Sequence, residues 1–248
     1  NFDNVGSLPC NTSIGGPAKG IIVREIDALG GQMPKTADKT YLQMKMLNTA
    51  KGPGVQSLRA QADKKVYPRY MQEVLKKQEN LDIIEGMVED LIVEDNCVKG
   101  VILDNGQTIE GRMVILTTGT YLKAEILCGD QKHASGPDQQ KESKYLSEKL
   151  ANLGMRIQRL KTGTPPRVEI NSVDYSKTSL QPGTDANLAF SYQTNEFIPI
   201  EEQTPCYLTY TNEKTHQIIR DNLHRSSMYS GIVKGIGPRY CPSIEDKI

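Results

Sequence analysis

Tryptophan is absent from the 248-residue chain and phenylalanine occurs only three times. No apolar run approaches the roughly 18 residues of a membrane span, and no signal-peptide pattern opens the sequence. Five cysteines, at positions 10, 97, 128, 206 and 241, are odd in number, scattered and without a CxxC pair. That argues against a disulfide framework or structural zinc and suits a reducing cytoplasm, the expected location. The three histidines, His133, His216 and His224, lack metal-ligand spacing. Net charge is zero, so composition alone points to no acidic partner. The distribution is less even, because residues 1–80 hold 12 Lys and Arg against 7 Asp and Glu. Lys19, Arg24, Lys45, Lys51 and Arg59 lie around glycine-rich stretches, where they could meet phosphate or simply form a solvated surface.

Two cysteine segments stand out from this background. Gly235 to Lys247 reads Gly-Ile-Gly-Pro-Arg-Tyr-Cys-Pro-Ser-Ile-Glu-Asp-Lys. Prolines on both sides of Arg239-Tyr240-Cys241 restrict the backbone. A thiol on a stiff loop near a cation is how a chain positions a low-pKa nucleophile, although an isolated cysteine is more often buried and structural. A salt bridge from Arg239 to Glu245 or Asp246 is the plainer role for that cation. Leu8-Pro9-Cys10-Asn11-Thr12-Ser13-Ile14-Gly15-Gly16-Pro17-Ala18-Lys19-Gly20 repeats the theme, with a cysteine after proline and before glycines. Its spacing mimics a P-loop, but Ile21 occupies the lysine position, so nucleoside-triphosphate binding is not expected there.

Along the chain, 20–30 predicts a short helix, and the apolar period over Val55 to Gln78 predicts a helix broken near Tyr67 by Pro68. Met87 to Glu94 and Cys97 to Leu103 read as strands, with a hairpin at Asn105-Gly106. Met113 to Leu116 reads as a buried parallel strand ending in Thr117-Thr118-Gly119-Thr120, and a glycine there lets a ligand approach, which makes Thr118 and Gly119 candidate cofactor contacts. Ser143 reads as the N-cap of a helix carrying Leu146, Leu150 and Leu153 and closed by Gly154. Met155 to Leu160 suggests another strand, and Glu213 to Leu223 a helix. A change of texture near Thr164 suggests two domains, 1–164 and 165–248.

These segments resemble the GidA/MnmG family. The resemblance also runs through Val23-Arg24-Glu25-Ile26-Asp27-Ala28-Leu29-Gly30-Gly31, Arg59-Ala60-Gln61-Ala62-Asp63, Lys161-Thr162-Gly163-Thr164-Pro165-Pro166-Arg167, Asp174-Tyr175-Ser176-Lys177 and Thr209-Tyr210-Thr211-Asn212. It implies an α/β fold: a partial FAD domain of the two-dinucleotide-binding, glutathione-reductase-like type over 1–164, then a β-rich insertion domain over 165–248. The strand-GxGxxG-helix opening of such folds is not in this sequence, so the chain reads as an internal fragment. Without it the FAD pyrophosphate loses a helix N-terminus, and flavin binding is expected to weaken.

The implied activity is FAD-dependent addition of a (carboxymethyl)aminomethyl group to C5 of the tRNA wobble uridine. Methylenetetrahydrofolate supplies the carbon, NADH is a co-substrate, the GTPase MnmE is a partner, and a homodimer is expected, with no membrane contact. By resemblance Cys10 and Cys241 are the catalytic pair, Cys241 attacking, and Val88 and Ser143 contact FAD. Gly237, Pro238, Arg239, Tyr240, Pro242, Ser243, Ile244, Glu245, Asp246 and Lys247 match the nicotinamide-nucleotide segment. Thr12 and Gln56 depart from the family's usual residues, and Gln56 removes one possible phosphate contact. Cys97, Cys128 and Cys206 read as structural. Two alternatives remain: a related folate- and FAD-dependent tRNA uracil methyltransferase, which fits the Cys241 segment poorly, and a non-catalytic module that docks tRNA or a partner.

Overall fold

The computed structural model describes residues 1–233, 235, 237 and 243–248. They form two compact units, each assembled from two separate stretches of chain. The first joins Asn1–Ile83 to Pro165–Tyr210, and the second joins Ile84–Thr164 to Thr211–Ile248. The texture change near Thr164 coincides with a crossover between units, but residues 165–248 are shared between the two.

In chain order the elements are β1 (Ser13–Gly15), α1 (Lys19–Ala28), α2 (Gln32–Thr40), β2 (Tyr41–Leu47), β3 (Ser57–Ala62), α3 (Val66–Lys76), β4 (Val88–Glu94), β5 (Cys97–Leu103), β6 (Thr108–Glu110) and β7 (Glu125–Cys128). Then follow β8 (Gln131–Ala134), α4 (Leu146–Asn152), β9 (Ser179–Gln181), β10 (Cys206–Leu208) and α5 (Glu213–Asp221).

The first unit is built on an antiparallel sheet in the order β1-β3-β2. Met44 faces Ala60 and Met46 faces Leu58 across β2 and β3. Met44, Leu58 and Ala60 join Ile14, Val23, Ala37, Tyr41, Tyr67 and Phe190 in the core. The expected helix from Val55 is therefore corrected: Ser57–Ala62 is the central strand, because cross-strand partners on both sides override a helical period. The break lies at Asp63, whose carboxylate accepts the N–H groups of Lys65 at 2.7 Å and Val66 at 2.9 Å. Pro68 sits in the first turn of α3, where a missing N–H breaks no helical bond.

Buried carboxylates on α1 and α2 attach the distant 165–210 stretch to the first unit. Asp38, 4% exposed, accepts from Phe190 N at 2.9 Å, Ser191 N at 2.8 Å and the Thr194 hydroxyl at 2.6 Å. Asp27 Oδ2 accepts from Tyr192 N at 3.0 Å, and Arg24 donates to the Ala189 carbonyl at 3.0 Å. Phe190 is thereby held, fully buried, against Gly15. Gly15 has φ +88°, and a Cβ there would lie 2.3 Å from the Leu58 carbonyl and 2.6 Å from the Phe190 ring. Only glycine fits.

The second unit contains the antiparallel meander β4-β5-β6. Asp95 and Asn96, both at positive φ, close its first turn, and Asn105-Gly106 closes the second as the sequence predicts. Helix α4 buries Leu146 and Leu150 and ends at Gly154, with Met155 N donating back to the Leu150 carbonyl. Two strand expectations need correction. Met113–Leu116 is not a strand, and Met113 and Ile115 are 86% and 85% exposed, since no described strand pairs with them. Residues 155–159 are likewise irregular. Helix α5 forms as expected, with the Asn212 side chain accepting from Thr215 N.

Asp38→Ala should lower the unfolding free energy by about 3 kcal/mol, because it strands buried N–H groups that now meet a charged acceptor; urea denaturation measures this. Asp63 gives a pH signature. Main-chain N–H groups, that of Val66 foremost, hold its carboxyl below the ordinary aspartate range. A depressed folded pKa contributes stability that is complete above the unfolded value and lost as pH falls through the folded one. Asp63→Ala should therefore cost about 1 kcal/mol at neutral pH, and the difference from the parent should vanish as acidification passes the depressed folded-state pKa, below the ordinary aspartate value of about 3.9.

Candidate active site

Cys10 lies three residues before Ser13, the first residue of β1, separated from it by Asn11 and Thr12, in a half-buried loop. Contacts from β3 and from Arg167 steady this loop. Gln61 on β3 donates to the Thr12 hydroxyl at 2.6 Å, and the Arg167 guanidinium donates to the Cys10 carbonyl at 3.3 Å. The second contact spans 157 residues of sequence. Arg167 lies in the Lys161–Arg167 motif, but nothing in its spacing signalled a partner at Cys10. Cys241, the other expected thiol, lies outside the described residues, as do Pro238, Arg239, Tyr240 and Pro242.

In the second unit three of the four expected flavin contacts, Thr118, Ser143 and Val88, lie along one hydrogen-bonded path. Tyr121 N donates to the Thr118 carbonyl at 3.2 Å, Ser143 N to the Tyr121 carbonyl at 2.9 Å, and Ser143 Oγ to the Val88 carbonyl at 3.3 Å. Ser143 is 5% exposed and bridges in parallel to Leu122. Its hydroxyl therefore does not cap α4, whose N-cap is Tyr145 without a side-chain cap. It ties the 121–123 segment to the start of β4 instead. Gly119 turns this segment with φ +54°. The Tyr121 hydroxyl donates to Gln140 Oε1 at 2.6 Å, and burial pushes its pKa up. The sequence carried no sign of this Tyr121–Gln140 brace.

The described part of the segment expected to meet a nicotinamide nucleotide is organised by its acids. Asp246 accepts from Ser243 N at 2.9 Å, the Ser243 hydroxyl at 3.0 Å and the Tyr229 hydroxyl at 2.8 Å. Glu245 accepts from the Ser226 hydroxyl at 2.7 Å. The Ser243 N–H and the Ser226 hydroxyl, respectively, hold the Asp246 and Glu245 carboxyls below their ordinary ranges. Both are thus fixed negative acceptors at neutral pH. Gly237 passes so close to Lys161 that a Cβ would lie 2.6 Å from its Cε.

Cys97, Cys128 and Cys206 lie in strands but are exposed. The Cys206 thiol donates to Gln43 Oε1 at 3.5 Å. His216 meets the Thr211 hydroxyl at 2.8 Å. No metal-binding group of His, Cys, Asp and Glu occurs among the described residues, and none of their helices is long and apolar enough to cross a membrane.

Comparison with known proteins adds independent information. The chain is 58% identical over its full length to the tRNA uridine 5-carboxymethylaminomethyl modification enzyme MnmG of Geobacillus kaustophilus, and 57% identical to that of Bacillus subtilis. It spans 39% of the length of each. The structure of Aquifex aeolicus GidA in its form I crystal matches the whole chain with a TM-score of 0.90 at 49% identity, over 42% of that protein. The family model described as glucose inhibited division protein A matches residues 1–248. With that match running end to end, the chain belongs to the glucose inhibited division protein A family.

Proposed function

We propose that the chain is a catalytic-core segment of an FAD-dependent enzyme that modifies C5 of the tRNA wobble uridine. The observation that carries this reading is the connected path Thr118–Tyr121–Ser143–Val88, which brings three flavin candidates together in one unit with the fourth, Gly119, in the turn between Thr118 and Tyr121. The relatives' printed function supplies the substrate class. Residues 1–164 contribute to the flavin domain and 165–248 to an insertion, interleaved as the two units require.

The residues at the path fit a dinucleotide. Gly119 turns the chain without a side chain, and the Ser143 hydroxyl is already satisfied by Val88, leaving main-chain groups and a short hydroxyl, Thr118, for a ligand. Val88, Thr118, Gly119 and Ser143 would hold the FAD, which supplies redox chemistry when bound. Gly237 to Lys247 would receive the nicotinamide nucleotide, with Glu245 and Asp246 as acceptors for its hydroxyls.

The chain's own chemistry answers a specific difficulty, since C5 of uracil is a poor nucleophile. A thiolate of Cys241 adds to C6, and the C5–C6 π pair moves onto C5 and O4. C5 then attacks an electrophilic methylene derived from the folate. Loss of the C5 proton to a base expels tetrahydrofolate and leaves an exocyclic methylene. The amine of glycine or ammonium adds to that methylene, and the thiolate departs as the C5–C6 double bond re-forms. Cys10 serves as the second thiol or proton acceptor, and Arg167 holds its loop in place. MnmE is the partner and a homodimer the assembly in the cytoplasm.

Grafted into the corresponding stretch of a full-length relative, the chain should restore modified wobble uridine in tRNA, read by mass spectrometry of digested nucleosides. Cys10→Ser and Cys241→Ser should each lower product at least a hundredfold, as loss of a nucleophile or its proton partner does. A Cys241→Ser protein that still forms a covalent adduct with 5-fluorouridine tRNA would make the attacking-thiolate assignment wrong. For the cofactor site, Ser143→Ala should weaken FAD binding about fivefold by freeing the Val88 carbonyl and the 121–123 segment, a loss of roughly 1 kcal/mol. Quenching of flavin fluorescence reports it.

A further inference from the structure

Lys45 on β2 and Arg59 on β3 are direct cross-strand partners. Side chains so paired rise from the same face of a sheet with Cβ atoms about 5 Å apart, and like charges there oppose strand pairing. Lys45 is relieved only by a neutral group, donating to Gln181 Oε1 at 3.2 Å. Arg59 is half-buried, and among the described residues its guanidinium has no hydrogen-bond or ion-pair partner. On its other side the partner is Gly15, which has no side chain. One step along the same face, Gln43 pairs with Gln61. Gln43 donates to the Gln181 carbonyl at 2.9 Å and Gln61 to the Thr12 hydroxyl at 2.6 Å. The face is polar and carries two positive charges with no acid ion-paired to either.

A repulsive pair retained between the central strand and its neighbour in a core sheet is a local conflict with folding, and such conflicts mark functional sites. We propose that Lys45 and Arg59 form a phosphate-binding pair that grips the sugar–phosphate backbone of an RNA substrate. The planar fork of Arg59 takes a phosphodiester through two N–H groups, and Lys45 adds a point charge. The pair sits on the sheet whose edge strand β1 follows the Cys10 loop, so it would hold the strand near that thiol. The flavin candidates, by contrast, belong to the second unit. This inference rests on the tRNA reading above.

The test uses the chain itself and a fluorescein-labelled RNA stem-loop, titrated by anisotropy over a series of potassium chloride concentrations. Lys45→Gln and Arg59→Gln should each weaken binding several-fold and lower the slope of log affinity against log salt by about 0.7–0.9. Both variants should melt at or above the parent's temperature, because each removes a repulsion. Lys77→Gln, at the end of α3, removes an equal charge and should leave affinity and slope unchanged; an equal fall there would reduce the effect to net charge and overturn the proposal. Lower melting temperatures in both pair variants would also overturn it, by making the side chains structural. If inorganic phosphate stabilises the parent but not the variants while RNA affinity is unchanged, free phosphate is the ligand and the RNA assignment falls. A loss of FAD affinity with RNA affinity intact would overturn it equally. Should the parent bind no stem-loop, the tRNA reading fails along with the pair. Should parent and variants bind alike, only the pair fails.

Discussion

The carboxylate of Asp38 is the contact on which the first unit depends. It is buried, and it accepts two main-chain N–H groups and a hydroxyl from a loop more than 150 residues away. A buried charge is tolerated only when its lone pairs are met, and a buried N–H only when it finds an acceptor. Each side here satisfies the other. Asp27 repeats the arrangement at Tyr192 through Oδ2, although its Oδ1 is buried without a partner among the described residues. With the loop fixed, Phe190 enters the core, and its ring lies where any side chain at Gly15 would stand. The strand following the Cys10 loop therefore takes its position from a segment remote in sequence, and Arg167 of the same remote stretch reaches Cys10 itself.

The second unit reaches order differently. Its meander is closed by local turns, and the flavin candidates are joined largely by main-chain hydrogen bonds running from Thr118 to Tyr121 and Ser143. Side chains close the path at two places, Ser143 on Val88 and Tyr121 on Gln140. A site made of main-chain groups specifies few side chains, so its sequence signature is thin. The acids at the end of the chain work through local bonds as well, with Asp246 gathering Ser243 and Tyr229.

Legibility followed the range of the interactions. Helix α5 closes locally, its Asn212 side chain accepting from Thr215 N three residues on, and the second hairpin is legible because Asn105-Gly106 suits the left-handed turn. Ser57–Ala62 was misread because apolar residues at helical spacing also fit a strand once neighbours on both sides supply the hydrogen bonds. Met113–Leu116 was misread for the opposite reason. Its composition suits a doubly covered strand, yet no described strand pairs with it. Ser143 is a good cap by residue type and position, but a buried carbonyl at Val88 claims its hydroxyl.

From the sequence alone came the family, the two cysteine segments and the elements closed by contacts within a few residues. Those properties rest on residue identity and short-range geometry, which a linear string records directly. Only the tertiary structure decided that 165–210 belongs with the first unit, that Arg167 meets Cys10, and that Lys45 stands opposite Arg59. Each of these depends on which distant groups satisfy a buried charge, an open N–H or a strand edge. Such partners are chosen by burial and hydrogen-bond closure in three dimensions, and no spacing along the chain encodes them.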